Sequence, residues 1–170
     1  AENFMGNPAK KLKIIGVTGT NGKTTITNLI KFMLERNGRK CGLIGTVHNM
    51  IGNEIISAGN TTPEAAELAK LFDKMVRYGC EYAIMEVSSH ALALKRVNGL
   101  DFGVGVFTNL TQDHLDFHSD MESYAEAKAT LFKNSDVSVI NLDDPHAGVM
   151  LAAARGEKIT YSAISNDADV

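Results

Sequence analysis

Leu12-Lys13-Ile14-Ile15-Gly16-Val17-Thr18-Gly19-Thr20-Asn21-Gly22-Lys23-Thr24-Thr25 carries an apolar, strand-forming run into a glycine turn, and a helical pattern starts directly after it. That order is the setting in which a backbone loop cradles phosphates. Glycines let several N–H groups converge on phosphate oxygens, and the helix that follows adds the positive end of its dipole. In such a loop Lys23 reaches the outer phosphates and the Thr24 hydroxyl ligates Mg²⁺. The general pattern Gly-x-x-x-x-Gly-Lys-Thr asks for glycine at position 17, where this chain has Val17; its spare glycines are Gly16 and Gly19. The residues therefore predict a nucleotide triphosphate site at Gly19, Thr20, Asn21, Gly22, Lys23, Thr24 and Thr25.

Working outward, Ile26, Leu29, Ile30, Met33 and Leu34 recur with helical spacing and predict one apolar helix face that ends near Gly38. Lys40 to Ile44 reads as a strand, and Val47 to Ser57 holds a Gly52-Asn53 turn that predicts a hairpin. Thr62 and Pro63 read as the start of a helix with Leu68, Phe72, Met75 and Val76 on one side. Tyr82 to Val87 and Phe102 to Phe107 read as strands with polar residues at their ends. Ser119 with Glu122 has the form of a capping box for a helix to Lys133. A strand at Val137 to Asn141, a helix at Pro145 to Arg155 and a strand at Lys158 to Tyr161 complete the pattern. Alternation of this kind predicts an α/β fold, a mostly parallel sheet covered by helices on both faces, with ligands beyond the carboxyl ends of the strands.

The 170 residues are the size of one domain, and 44% hydrophobic with 22% charged residues is a globular composition. A net charge of -3 provides no positive field for nucleic acid. Cys41 and Cys80 form neither a zinc pattern nor a disulfide framework and read as buried thiols of a reducing cytoplasm. With no apolar stretch long enough for a membrane span, a soluble cytoplasmic protein is expected, with a monomer as the default. Residues 1–11 read as a linker, and Ser162 to Val170 as a loop or hinge.

Several residues suggest chemistry. Glu86 closes an apolar strand as a magnesium-binding carboxylate does, or it is a solvated strand end. Two histidines and two aspartates crowd Asp113-His114-Leu115-Asp116-Phe117-His118. His114 and His118 at i and i+4 fit a transition metal, one histidine beside a nucleotide loop fits a magnesium site, and a solvated loop fits as well. Lys128 falls on the apolar face of its helix with Met121, Tyr124, Ala125 and Phe132. It either snorkels to the surface or loses hydration, in which case its neutral amine can take up CO₂ as a carbamate. Asn60-Thr61-Thr62-Pro63 offers hydrogen-bonding side chains or plain capping. Ser88-Ser89-His90 follows Glu86 into the same crevice, without the elbow of a serine nucleophile.

Together, Gly19 to Thr25, Asn60 to Pro63, Glu86 to Leu92, Phe107 to His118 and the Tyr124-x-x-x-Lys128 pair resemble the Mur ligase family over most of the chain. The Asn-Thr-Thr-Pro and Ser-Ser-His-Ala-Leu runs resemble those members that add the third amino acid to UDP-N-acetylmuramoyl-L-alanyl-D-glutamate in peptidoglycan synthesis. Folylpolyglutamate synthetase, or a nucleotide-binding module without chemistry, is the alternative. The resemblance implies ATP and two magnesium ions. A substrate carboxylate becomes an acyl phosphate, and an amino acid amine then attacks it. It implies that Lys23 contacts phosphates, that Thr24 and Glu86 serve one magnesium, and that His114 and carbamylated Lys128 serve the other. It implies that Asn60, Thr61, Thr62, Ser88 and Arg96 hold the UDP-muramoyl peptide, while Leu94 stands where some members have glutamine. The similarity covers residues 12–170 as the larger part of a central ATP-binding domain. The family's N-terminal UDP-binding domain and C-terminal domain have no counterpart here, so the piece alone is expected to bind ATP weakly and not to ligate.

Overall fold

The computed structural model describes residues 6–113 and 116–170. One eight-stranded sheet runs β4-β3-β2-β5-β1-β6-β7-β8. Its strands are β1 (Lys13–Thr18), β2 (Cys41–Ile44), β3 (His48–Ile51), β4 (Glu54–Ser57), β5 (Tyr82–Glu86), β6 (Phe102–Phe107), β7 (Ser135–Asn141) and β8 (Glu157–Tyr161). From β2 to β8 every neighbouring pair is parallel. The two remaining pairs, β2–β3 and β3–β4, are antiparallel. The expected hairpin turn is present, with Gly52 at φ 56° between its strands.

The helices are α1 (Lys23–Arg36), α2 (Ala65–Tyr78), α3 (Ser89–Ala93), α4 (Met121–Lys133) and α5 (Ala147–Ala153). Successive residues of each strand face opposite sides, which divides the core in two. Ile14, Met85, Phe102 and Ile140 pack with Phe72 and Met75 of α2, Leu92 of α3, Leu131 and Phe132 of α4 and Met150 of α5. On the other side a smaller cluster of Cys41, Leu43 and Ile84 receives Ile30 and Leu34 of α1. Helices thus lie on both faces, with α1 alone on its side among the described residues. Beyond β1 on that side, Val104, Val106, Val137 and Val139 are half-buried.

The structure corrects several expected details. The apolar face of α1 is rotated: its buried residues are Thr27 and Lys31, while Leu29 and Met33 are 50% and 57% exposed. Lys31 is held in place by Glu35 at 2.7 Å, with its stem against the sheet. Thr62 and Pro63 do not open α2, which begins at Ala65 after Glu64. The capping box belongs to Asp120 and Ser123, not to Ser119 and Glu122, because Asp120 accepts the Ser123 amide at 2.7 Å. Helix α5 is shorter than Pro145 to Arg155, and β7 begins two residues earlier than Val137. The five-residue α3 has no expected counterpart. Its cap, Ser88, accepts the Ala91 amide.

Burial predicts unequal costs for truncation on the two helices that flank the sheet. Phe72→Ala, at a site with no exposure, is expected to lose about 3–5 kcal/mol. Leu29→Ala is expected to lose less than about 1 kcal/mol, and urea unfolding of both variants checks the rotated face.

Candidate functional site

Strand β1 ends at Thr18, and the chain turns through Gly19-Thr20-Asn21-Gly22 into α1. Val17 is fully buried within β1, so no glycine is needed there. The glycine requirement falls two residues later. Gly19 has φ 151°, and a Cβ on it would lie 1.9 Å from the Thr108 hydroxyl oxygen. Gly22, at φ 86°, precedes α1 and has no side chain with which to cap it. The first-turn amides of α1 therefore meet the cavity without a side-chain acceptor, as an anion site requires. That cavity, about 290 Å³, is lined by Thr20 to Thr25, Thr46, Thr61, Glu86 and Ser88.

The loop is held from outside itself by the segment that leaves β6. Asn109 accepts the Thr20 amide on its carbonyl at 2.8 Å and the Asn21 amide on its side chain at 3.0 Å. Its own amide group donates back to the Asn21 carbonyl, at 3.1 Å, and the Thr108 hydroxyl donates to the same carbonyl at 2.7 Å. The buried Asp144, after β7, accepts the Leu110 amide at 2.6 Å and so fixes this segment from behind.

Lys23 curls over the loop and donates to the Gly19 and Thr20 carbonyls, both at 2.8 Å. Burial pulls its pKa down, against the opposing pull of Glu86 and Asp113. Thr24 donates its hydroxyl to Glu86 at 2.9 Å. Glu86 is 1% exposed, which excludes the solvated strand end. It also accepts the amide and hydroxyl of Thr46 at 3.0 and 2.8 Å. Three donors satisfy a buried carboxylate that would otherwise be costly to desolvate. Gly45 leaves room for it, since a Cβ there would stand 2.5 Å from a Glu86 oxygen.

Lys128 is 1% exposed and is among the largest fully buried side chains. It does not snorkel. Its ammonium donates to the Gly19 carbonyl at 3.0 Å and lies 4.5 Å from the Tyr124 ring centre. Burial first, and the positive charge of Lys23 second, lower its pKa to about 7, with Asp113 opposing.

On the other side of Glu86, Thr62 donates its hydroxyl to the Glu86 carbonyl at 2.9 Å and accepts the Ser88 amide at 3.0 Å. The Thr61 hydroxyl lies 3.1 Å from the Thr46 hydroxyl, whose one proton goes to Glu86, so Thr61 is the donor between them. Arg96 donates to the Thr62 carbonyl at 3.2 Å and ion-pairs with Glu64 at 2.8 Å without hydrogen-bond geometry. Thr25 is exposed at the rim, while Asn60 is exposed and does not line the cavity. His114 lies outside the described residues. His118 is turned away from the cavity and bonded to Ser89 at 2.9 Å. Among the described residues no three His, Cys, Asp or Glu side chains cluster as a metal centre. Thr46 and Asp144 escaped the sequence reading. Their only signal was position, each lying just beyond the carboxyl end of a parallel strand.

The Mur ligase middle domain model matches residues 17–170. The chain belongs to the Mur ligase family. It is 52% identical over 162 residues to the UDP-N-acetylmuramoyl-L-alanyl-D-glutamate--2,6-diaminopimelate ligase of Caldanaerobacter subterraneus, covering 95% of this chain and 34% of that protein. The Gloeobacter violaceus protein of the same name is 56% identical over 165 residues, covering 95% and 33%. A solved structure of a ligase with that name superposes with a TM-score of 0.86 at 41% identity, over 93% of this chain and 33% of the other. A folylpolyglutamate synthase from Mycobacterium tuberculosis shares the fold, with a TM-score of 0.75 at 19% identity, over 94% of this chain and 45% of that one. The chain spans about a third of the length of the relatives it matches.

Two predictions follow from this geometry. Gly19→Ala is expected to cost on the order of 2 kcal/mol in urea unfolding, because the methyl group must displace Thr108. Lys128 binds its proton more weakly folded than unfolded, so between about pH 7 and pH 10 the unfolded chain holds more protons and stability rises with pH. The slope is up to about 1.4 kcal/mol per pH unit. Unfolding at pH 7 and pH 9 is expected to show that rise, and Lys128→Met to flatten it.

Proposed function

We propose that this chain forms the ATP-binding part of a ligase that joins 2,6-diaminopimelate to UDP-N-acetylmuramoyl-L-alanyl-D-glutamate. The observation that carries the proposal is the convergence of Lys23, the Thr24–Glu86 pair and the buried Lys128 on one glycine loop. The names of the relatives at 52–56% identity supply the substrates. Residues 12–170 serve as the ATP-binding domain, with residues 1–11 leading into it, acting as a monomer in the cytoplasm.

In this reading, the open amides of α1 and the loop bind the phosphates, and Lys23 moves its ammonium from the loop carbonyls to the outer phosphates. The donor set fits magnesium, which prefers oxygen ligands and keeps several waters. Thr24 and Glu86 would hold one ion, and His114 and Lys128 as its carbamate would hold a second. Bound magnesium neutralises charge on the phosphates during transfer. Lys128 gains its carboxylate when its neutral amine attacks CO₂, forming a C–N bond and releasing one proton. Thr61, Thr62, Ser88, Asn60 and Arg96 form the wall on which the muramoyl peptide lies, its carboxylate directed toward the phosphates. The carboxylate attacks the outer phosphorus of ATP, whose bond to the bridging oxygen breaks to release ADP, and amine attack on the acyl phosphate so formed gives the amide, with phosphate leaving and the amine losing a proton.

The 170-residue chain is expected to bind MgATP in titration calorimetry and to release no phosphate in response to the two other substrates. Lys23→Met is expected to weaken binding about ten- to hundredfold, the loss of a charge-assisted contact. In ¹³C-bicarbonate, a carbamate resonance is expected for the parent chain and not for Lys128→Met. Unchanged nucleotide affinity in Lys23→Met would sink the assignment of the loop.

A further inference from the structure

Glu86 ends β5 with its carboxylate buried, and the residue that grips it on both oxygens comes from another strand. Thr46, two residues beyond β2, donates its amide to Glu86 Oε1 at 3.0 Å and its hydroxyl to Oε2 at 2.8 Å. Thr24 donates to Oε1 alone, at 2.9 Å. A bond to one oxygen leaves a carboxylate free to turn about the bond that carries it. Two bonds from a single residue to both oxygens fix its plane.

The Gly45-Thr46 turn supports that grip. A Cβ at Gly45 would stand 2.5 Å from Glu86 Oε1, so any side chain there would push the carboxylate out of place. The Gly45 amide donates at 3.2 Å to the side-chain carbonyl of Asn49, which is fully buried in β3, and this anchors the peptide ahead of Thr46. The direction of the hydroxyl bond is set as well. A carboxylate only accepts, so the Thr46 proton goes to Glu86, and Thr46 receives a proton in turn from Thr61 at 3.1 Å.

We propose that Thr46 is a positioning residue for the ion site: by holding both Glu86 oxygens it sets the plane in which the carboxylate faces Thr24, and so sets how well that pair takes a divalent cation. The proposal rests on reading Thr24 and Glu86 as a magnesium site, and its first step, the orientation of Glu86, is measured with no ion present. Magnesium demands near-ideal octahedral placement of its oxygens, so a carboxylate turned from its plane is a poorer ligand. Bonds behind a metal-binding carboxylate are typically worth about ten- to hundredfold in metal affinity.

The test compares variants at this one position in the 170-residue chain. Thr46→Val keeps the shape and the amide and removes the hydroxyl. It is expected to bind MgATP about tenfold more weakly in titration calorimetry, and to bind ATP in EDTA within about twofold of the parent. A crystal structure of the ion-free valine variant is expected to show the Glu86 carboxylate turned, with Oε2 no longer facing residue 46. Thr46→Ser, which restores the donor, is expected to return MgATP affinity to within about twofold of the parent and Glu86 to its orientation. Unchanged MgATP affinity in the valine variant, an equal loss with magnesium and in EDTA, or a serine variant as impaired as valine would each overturn the proposal. Weakened MgATP with Glu86 unmoved in the ion-free valine variant would overturn it too, and would make Thr46 a ligand in its own right. Should Thr46→Val fail to fold, Thr46→Ala, which also removes the hydroxyl, decides the same comparisons. A parent chain that binds ATP equally with and without magnesium contradicts the proposed ion site, and the orientation of Glu86 in the ion-free variants then decides the positioning role by itself.

Discussion

The site depends on the exchange of hydrogen bonds between Asn21 and Asn109. A glycine-rich loop has little to hold it in one shape, since glycine loses more conformational entropy on ordering than other residues. Here the ordering comes from the next strand. Asn109 accepts the amides of Thr20 and Asn21 and returns a donor to Asn21. The Asp144 carboxylate holds the Leu110 amide, and Asn141 donates to the Thr108 carbonyl at 2.8 Å. Each bond contributes on the order of 1 kcal/mol, but together they leave the loop one conformation in which the α1 amides remain open. Under the proposed function, a nucleotide would then bind without a large ordering cost.

Two lysines resting on one carbonyl make a strained electrostatic arrangement. Lys23 and Lys128 both donate to Gly19, and each is driven toward its neutral form by burial. Glu86 and Asp113 pull Lys23 the other way, so it retains more reason to stay charged, while Lys128 feels Lys23 as a repelling neighbour. The same desolvation therefore separates the two amines into different roles. Under the proposed function the first is the amine suited to phosphate, and the second, lowered to about 7, has the neutral fraction that carbamate formation needs. Glu86, buried between three donors, supplies the negative charge that makes the pair tolerable.

Much of this was legible in the sequence wherever period and punctuation agreed. The strands around Ile14, Ile84 and Val104, the Gly52 turn, the loop at Gly19 to Thr25, Glu86 at a strand end and Lys128 on an apolar face all follow from local pattern. What was not legible depended on tertiary context. The apolar stripe Ile26, Leu29, Ile30, Met33 named the wrong centre because the sheet accepts the aliphatic stem of Lys31 with its charge on Glu35. Thr62 looked like a helix cap, yet its hydroxyl is drawn to the Glu86 carbonyl. Asp120 outcompetes Ser119 because its carboxylate reaches the Ser123 amide. Thr46 and Asp144 have no motif at all, since their roles arise only when strands distant in sequence become neighbours.

Strand order explains why these parts meet. From β1 the chain crosses over α1 to β2 on one side of the sheet, and from β5 it crosses over α3 to β6 on the other, so β1 lies between β5 and β6. The carboxyl end of β1 is thus a point where connections diverge, and a crevice opens there. Reading across the sheet, Thr46 follows β2, Glu86 ends β5, the glycine loop follows β1, Asn109 follows β6 and Asp144 follows β7. Neighbouring strands lie about 5 Å apart, so these positions form a row: Thr46 bonds Glu86, Glu86 bonds Thr24 at the end of the loop, Asn21 of the loop bonds Asn109, and Asp144 bonds the amide of Leu110 next to it. The order along the row matters more than any single residue. Carboxylate and hydroxyl groups stand on the β2–β5 side of the loop and its amide-locking partners on the β6–β7 side, which under the proposed function gives the phosphates a charged wall and a rigid one.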